Sequence, residues 1–204
     1  MDEIKDVVII IPCKDLEFYI KPLLLSLHQL DLSDLSYEII FVLDDCKDKT
    51  AEVIESYMQD MNCTIIECNV HSCGLGRNIG IENSNSKYIW FIDGDDWIIY
   101  PSVLKDCISV LENTDSPLIK IKYISNFFTM DYYSMVWQYI FRRDLIGDLR
   151  FEKIQPSEDV VFMDKIKEKL TSTEVPFYKI PSYFYNYNRP GSNMDIFRKN
   201  RKIE

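Results

Sequence analysis

No apolar stretch in these 204 residues approaches the ~18–20 needed to cross a bilayer. The longest near the start, Val7–Pro12, follows Met1-Asp2-Glu3, an acidic flank that does not suit a secretory signal. The expectation is a cytoplasmic protein whose contact with a membrane is at most peripheral, at the inner face. Basic charge is scarce in the first half. Residues 1–100 carry 7 basic against 19 acidic groups, whereas residues 101–204 carry 16 against 14. With a net charge of −10, this argues against a nucleic-acid partner. Glycine is scarce too, at six residues, and none stands in Pro12-Cys13-Lys14-Asp15 after the first apolar run. The glycine-rich phosphate loop of a sugar-phosphate nucleotidyltransferase is therefore missing. There is no internal repeat, low-complexity tract or linker, so one domain over 1–204 is the simpler organisation.

Hydrophobic residues make up 47%, enough for a sizeable core, which excludes a disordered chain. Six cysteines in a cytoplasmic protein stay reduced. Cys63, Cys68, His71 and Cys73 cluster, but no second ligand pair follows at zinc spacing, so buried or idle thiols are the better reading.

In the first half, strand and helix patterns alternate. Val7–Ile11 is a β-branched run suited to a strand buried on both faces of a parallel sheet. Residues 17–30 carry leucines at helical spacing, with Pro22 fitting an early turn. Tyr37–Leu43, Cys63–Glu67 and Tyr88–Ile92 read as further strands, and 48–61 and 75–84 as helices. This alternation predicts an α/β fold with a mostly parallel sheet flanked by helices. The second half predicts helices over 101–111, 131–146 and about 156–170. Its strands are expected at 118–124, 175–180 and 183–187, giving a small mixed C-terminal part.

The strongest chemical signal is Asp93-Gly94-Asp95-Asp96, directly after a strand. Clustered carboxylates are costly unless a cation neutralises them, and oxygen ligands suit Mg²⁺ or Mn²⁺. At the carboxyl end of a strand they stand where α/β folds bind ligands. Asp44-Asp45 ends another strand on the same edge; helix capping is the alternative for this pair. Gly74-Leu75-Gly76-Arg77-Asn78-Ile79-Gly80 approximates a dinucleotide fingerprint, but its last glycine is one residue late. Arg77 near a helix start could hold a diphosphate or pair with the acidic edge. Glu158-Asp159 at a helix start suits the macrodipole or a general base.

In that order these segments resemble the inverting glycosyltransferases of family 2, with a GT-A-type, Rossmann-like fold. The resemblance runs from Pro12 and Glu17 through Asp44-Asp45, Asp48 and Thr50, then Gly76-Arg77-Asn78-x-Gly80 and Tyr88–Trp97. It continues in Phe151, Glu158-Asp159 and Phe162, and closes in Tyr187, Arg189, Gly191 and Ser192. It implies a nucleotide-binding half over 1–100 and an acceptor-binding half over 101–204. It implies a metal motif in Asp93 and Asp95 for Mn²⁺ or Mg²⁺, base recognition by Asp45, and Arg77 beside the nucleotide. Asp159, with Glu158, would be the catalytic base, and Arg189 and Ser192 would close over the diphosphate. The donor site would also include Pro12, Glu17, Asp44, Asn78 and Gly94. The implied donor is a UDP-sugar, and the acceptor a saccharide, a lipid-linked group or a protein. Two positions depart from the family. Lys14-Asp15 stands where Tyr-Asn is frequent, and Cys46-Lys47 replaces Gly-Ser. These departures motivate the alternative of a non-catalytic nucleotide-sugar-binding or scaffold subunit.

Overall fold

The structure is a computed structural model that describes residues 3–126, 135–154, 157–186, 189–192 and 195. Strands β1 (Lys5–Cys13), β2 (Tyr37–Asp44), β3 (Cys63–Cys68) and β4 (Ser86–Phe91) run parallel in the order β3-β2-β1-β4. Ile9 is paired with Ile39 on one side and Trp90 on the other. A strand in that central position has apolar neighbours on both faces, which is why its run is continuous rather than alternating. Helices α1 (Lys21–Gln29), α2 (Thr50–Tyr57) and α3 (Cys73–Glu82) make the crossovers. Helix α1 starts later than the leucine spacing suggests because residues 16–20 form a turn closed on the carbonyl of Leu16. Pro22 then sits in the first helical turn, where a missing N–H costs nothing.

Two cores lie on opposite faces of the sheet. Ile9, Phe41 and Trp90 meet Leu23, Ile54 and Leu104, the last from α4 (Val103–Glu112). Ile10, Val42 and Phe91 meet Ile81, Ile146 and Phe162. The glycine spacing around Arg77 serves this packing. A Cβ on Gly80 would lie 2.3 Å from Cγ2 of Ile10, so only glycine lets α3 sit this close to β1.

The sheet continues through β7 (Tyr139–Arg142), β6 (Leu118–Ser125), β8 (Phe177–Tyr185) and β5 (Trp97–Ile98). Two expectations are corrected here. The predicted helix over 131–146 is, where described, a 3-10 turn at Val136–Gln138, strand β7 and a short helix α5 (Arg143–Ile146). Strand β7 pairs antiparallel with both β4 and β6, which joins the second half of the chain to the first. The two strands expected at 175–180 and 183–187 are one strand, β8. Its register against β6 shifts at Lys122, opposite Pro181, whose nitrogen has no hydrogen to donate. Helix α6 (Glu158–Lys169) begins after Ser157, which adopts φ 114°. No helix among the described residues is long and apolar enough to cross a membrane.

Candidate active site

A cleft of about 320 Å³ opens at the carboxyl ends of β1, β2 and β4. It brings together seven sequence-predicted positions: Pro12, Asp44, Asp93, Gly94, Asp95, Arg189 and Ser192. It also takes in Lys14, His71, Ser72, Tyr185 and Asn186, none of which the sequence marked as donor-site residues. Only the placement of His71 and Ser72 just before the glycine run pointed to them.

The acidic turn divides its carboxylates by direction. Asp96 points into the fold and is 1% exposed. The Tyr183 hydroxyl donates to its Oδ2 at 2.7 Å, and the Asn186 N–H donates to its Oδ1 at 2.7 Å. The Asp93 N–H in turn donates to the Tyr183 oxygen at 3.2 Å. Asp93 and Asp95 face the cleft. Gly94 permits this turn, since a Cβ there would lie 2.5 Å from Cδ1 of Leu16 and 3.3 Å from Sγ of Cys13.

Each cleft carboxylate has an arginine. Arg189 Nε donates to Asp95 Oδ2 at 2.5 Å, and its guanidinium lies 5.2 Å from the centre of the Tyr19 ring. Arg77 Nη2 donates to Asp93 Oδ1 at 2.6 Å, while Nη1 donates to Asp159 Oδ1 at 2.7 Å and lies 3.6 Å from Glu158. Arg77 is 2% exposed and does not line the cleft, so it stands between Asp93 and the Glu158-Asp159 pair rather than open to solvent. Asn78 holds Phe151 by both backbone groups, accepting from its N–H and donating to its C=O, each at 2.9 Å.

Asp44 is buried, and its carboxylate accepts from the backbone N–H groups of Val70, His71 and Ser72 at 2.8–2.9 Å. Its role here is to shape the loop that lines the cleft. Asp45, at φ 52°, pairs with Lys47, which holds its carboxyl below the usual range. Glu17 accepts from the Lys49 N–H at 3.2 Å at the start of α2. Neither lines the cleft. The remaining mark from the sequence, Tyr187, lies outside the described residues.

Burial pushes the Asp159 carboxyl up to about 7; Arg77 opposes this, and Asp93 and Glu158 add to it. Burial also raises Asp95 against the pull of Arg189, and raises Asp96 well above the carboxylate range with help from Asp95 and Asp93. Four carboxylates, Asp93, Asp95, Glu158 and Asp159, thus share two guanidiniums, with Asp96 turned inward beside them. An all-oxygen donor set short of positive charge fits a hard divalent cation. Asp93 and Asp95 are the members open to the cleft that could hold one. The cysteine-histidine cluster does not converge. Among the described residues, the trio of possible ligands within 4.8 Å of one another is Asp15, Cys46 and Asp48. Those two carboxylates already accept the N–H groups of Lys47, Glu17 and Thr50.

A mostly parallel α/β sheet flanked by helices, with an acidic cleft at its carboxyl edge, is the architecture of a GT-A fold. The family model for glycosyl transferase family 2 matches residues 8–166, and the chain belongs to that family. A curated relative is the poly(ribitol-phosphate) beta-N-acetylglucosaminyltransferase TarS of Staphylococcus aureus. It is 26% identical over 211 residues, which take in 91% of this chain and 36% of the relative. A poly(ribitol-phosphate) beta-glucosyltransferase of Bacillus spizizenii is 34% identical over 121 residues, 57% of this chain and 19% of its own. The crystal structure of Staphylococcus aureus TarS 1-349 with UDP-GlcNAc superposes with a TM-score of 0.83 at 22% identity, covering 93% of this chain and 60% of that one. A mannosyltransferase from Pyrobaculum calidifontis, in complex with GDP-Man and Mn²⁺, gives 0.72 at 14% identity over 98% and 61%. The chain thus spans little more than a third of the length of the TarS relative.

Proposed function

We propose that residues 1–204 form one GT-A domain that transfers a sugar from a UDP-sugar to an acceptor hydroxyl, with inversion and with Mn²⁺ or Mg²⁺ bound. The observation that carries this reading is the bridge from the cleft carboxylate Asp93 through Arg77 to Asp159. It joins a donor-sized cleft to a buried carboxylate on one line of side chains. Relatives named as glycosyltransferases and a neighbour holding UDP-GlcNAc support the same donor class.

In this mechanism Asp93 and Asp95 would hold the cation, which when bound would supply Lewis-acid stabilisation of charge on the leaving diphosphate. The acceptor oxygen attacks the anomeric carbon in line, and the diphosphate leaves with the electrons of the broken bond. Asp159 takes the acceptor proton as that bond forms. A carboxyl lifted to about 7 is well matched to this work near neutral pH, because a general base is most effective when its pKa lies near the working pH. Arg189 and Ser192 line the cleft and would close over the diphosphate, with Arg189 exchanging Asp95 for phosphate oxygens. Lys14 and His71 also line the cleft.

Calorimetry with UDP-, GDP- and CDP-sugars, with and without Mn²⁺, tests the proposal. The expected result is metal-dependent UDP-sugar binding that Asp95→Ala removes and Asp159→Asn keeps, with turnover lost in the first and cut to a low residual rate in the second. No binding of any donor would favour the scaffold alternative. Pyrophosphate release from a nucleoside triphosphate and a sugar phosphate would favour a nucleotidyltransferase.

A further inference from the structure

Arg77 has a setting that a donor ligand would not have. It is 2% exposed, and both terminal nitrogens are committed, one to Asp93 and one to Asp159. Its Nε is a buried donor without a protein partner, so the guanidinium is held by one bond to each of two carboxylates and not by a complete set of bonds. Its plane lies 5.4 Å from the centre of the Phe151 ring. Phe151 stacks on Phe162 of α6 at 3.9 Å between centroids, with 5° between planes. Asn78, the next residue of α3, clamps the backbone of Phe151. Helix α3 and helix α6 are therefore locked together through one aromatic pair. Arg77 from the first helix and Asp159 from the second meet beside that lock.

We propose that Arg77 is a positioning residue that sets the base Asp159 at a defined place relative to Asp93, and that it does not bind the nucleotide. The inference rests on the transferase reading above. The physical reason is geometric. A guanidinium offers parallel donors in a rigid fork and can span two carboxylates, whereas an ammonium is a single point of charge on a flexible stem. Asp93 belongs to the acidic turn after β4 and Asp159 to α6, so the distance between donor and base is set by the width of one side chain. Cys73 and Glu158 are the other titratable groups that face Arg77.

The test uses the whole chain with UDP-GlcNAc and Mn²⁺, reading donor affinity by calorimetry and hydrolysis of the donor as the turnover. Arg77→Lys keeps the charge and loses the fork. The expected outcome is a donor Kd within about threefold of wild type and kcat lower by about 30-fold or more. The loss should be non-additive: in an Asp159→Asn background the same change should alter the residual rate by less than about threefold. A structural role alone would lower both rates alike, so non-additivity separates the two. A Kd weakened tenfold with kcat intact would make Arg77 a nucleotide ligand and overturn the proposal. An unchanged kcat, or full additivity with Asp159→Asn, would overturn it as well. If Arg77→Lys does not fold, Phe151→Leu decides. It removes the ring beneath the guanidinium while keeping apolar bulk, and it should lower kcat with Kd unchanged; an unchanged kcat there overturns the proposal. A wild-type chain that neither binds nor hydrolyses UDP-GlcNAc or any other donor of the panel removes the transferase reading and this proposal with it. A turning-over wild type with an indifferent Arg77→Lys removes the proposal alone.

Discussion

Tyr183→Phe removes a single oxygen from the centre of the site's support. That hydroxyl donates to Asp96 Oδ2 at 2.7 Å and accepts the Asp93 N–H at 3.2 Å. The ring itself is fully buried and stacked on Trp137 at 4.8 Å, so phenylalanine keeps the shape and the packing. What is lost is one bond to a buried carboxyl group and one longer bond to a backbone amide. Each such bond contributes ~0.5–1.5 kcal/mol, and partners left buried without bonds lie toward the upper end. The expected loss is about 2–3 kcal/mol. For a chain of this size that lowers Tm by ~4–12 °C, at ~2–4 °C per kcal/mol. Urea unfolding at pH 7, followed by tryptophan fluorescence, measures it. The same variant should weaken metal-dependent donor binding, because the turn carrying Asp93 and Asp95 has lost its anchor. A midpoint equal to wild type would refute the reasoning, since it would mean that the hydroxyl contributes nothing to holding the turn.

Four further outcomes are expected. Transfer should rise with pH up to about 7 and level off above it, since Asp159 must be ionised to accept a proton. Stability should run the opposite way. A carboxyl held above its unfolded value favours the folded state at low pH, and that contribution is lost as pH climbs from about 4 to 7, so the difference in urea midpoint between wild type and Asp159→Asn should shrink at pH 5 relative to pH 8. Gly80→Ala should destabilise by about 1–3 kcal/mol despite alanine's better helix propensity, because its Cβ meets Ile10 at 2.3 Å; thermal unfolding reads this, and Ile10→Ala should relieve the clash. Asp44→Ala leaves three backbone N–H groups without their acceptor and should cost about 2–4 kcal/mol, with donor affinity falling as the loop bearing His71 and Ser72 loosens.

The first half of the fold could be read because β1, β2 and β4 contain continuous apolar runs and the helices between the strands carry apolar residues at helical spacing. Strand β7 escaped because Tyr139–Arg142 is only four residues and buried on both faces, so neither a period of two nor a long run was there to see. Its aromatics merged with the helical spacing of α5. Strand β8 looked like two because Pro181 interrupts it, yet that proline sits at the register shift where no N–H is needed. In the site, the sequence identified residue types but not their direction. Asp93 and Asp95 face the cleft as expected. Asp44 turns its carboxylate onto three backbone amides, Asn78 turns to Phe151, and Arg77 turns inward between helices. Side chains with the same chemistry can bind a ligand or finish a loop, and only the tertiary contacts distinguish them.

The anchoring of Asp96 by Tyr183 and Asn186 spans 87 and 90 residues of chain. During synthesis the acidic turn emerges long before the strand that holds it. Until β8 docks, Asp96 lacks the two bonds that keep it turned inward, and the cleft lacks the wall made by Tyr185, Asn186 and Arg189. A chain stalled or cut before Phe177 carries every carboxylate of the acidic turn without the Tyr183 and Asn186 bonds that turn Asp96 inward. On the function proposed above, donor binding would then appear only as the fold is completed, and could serve as a clock for that stage.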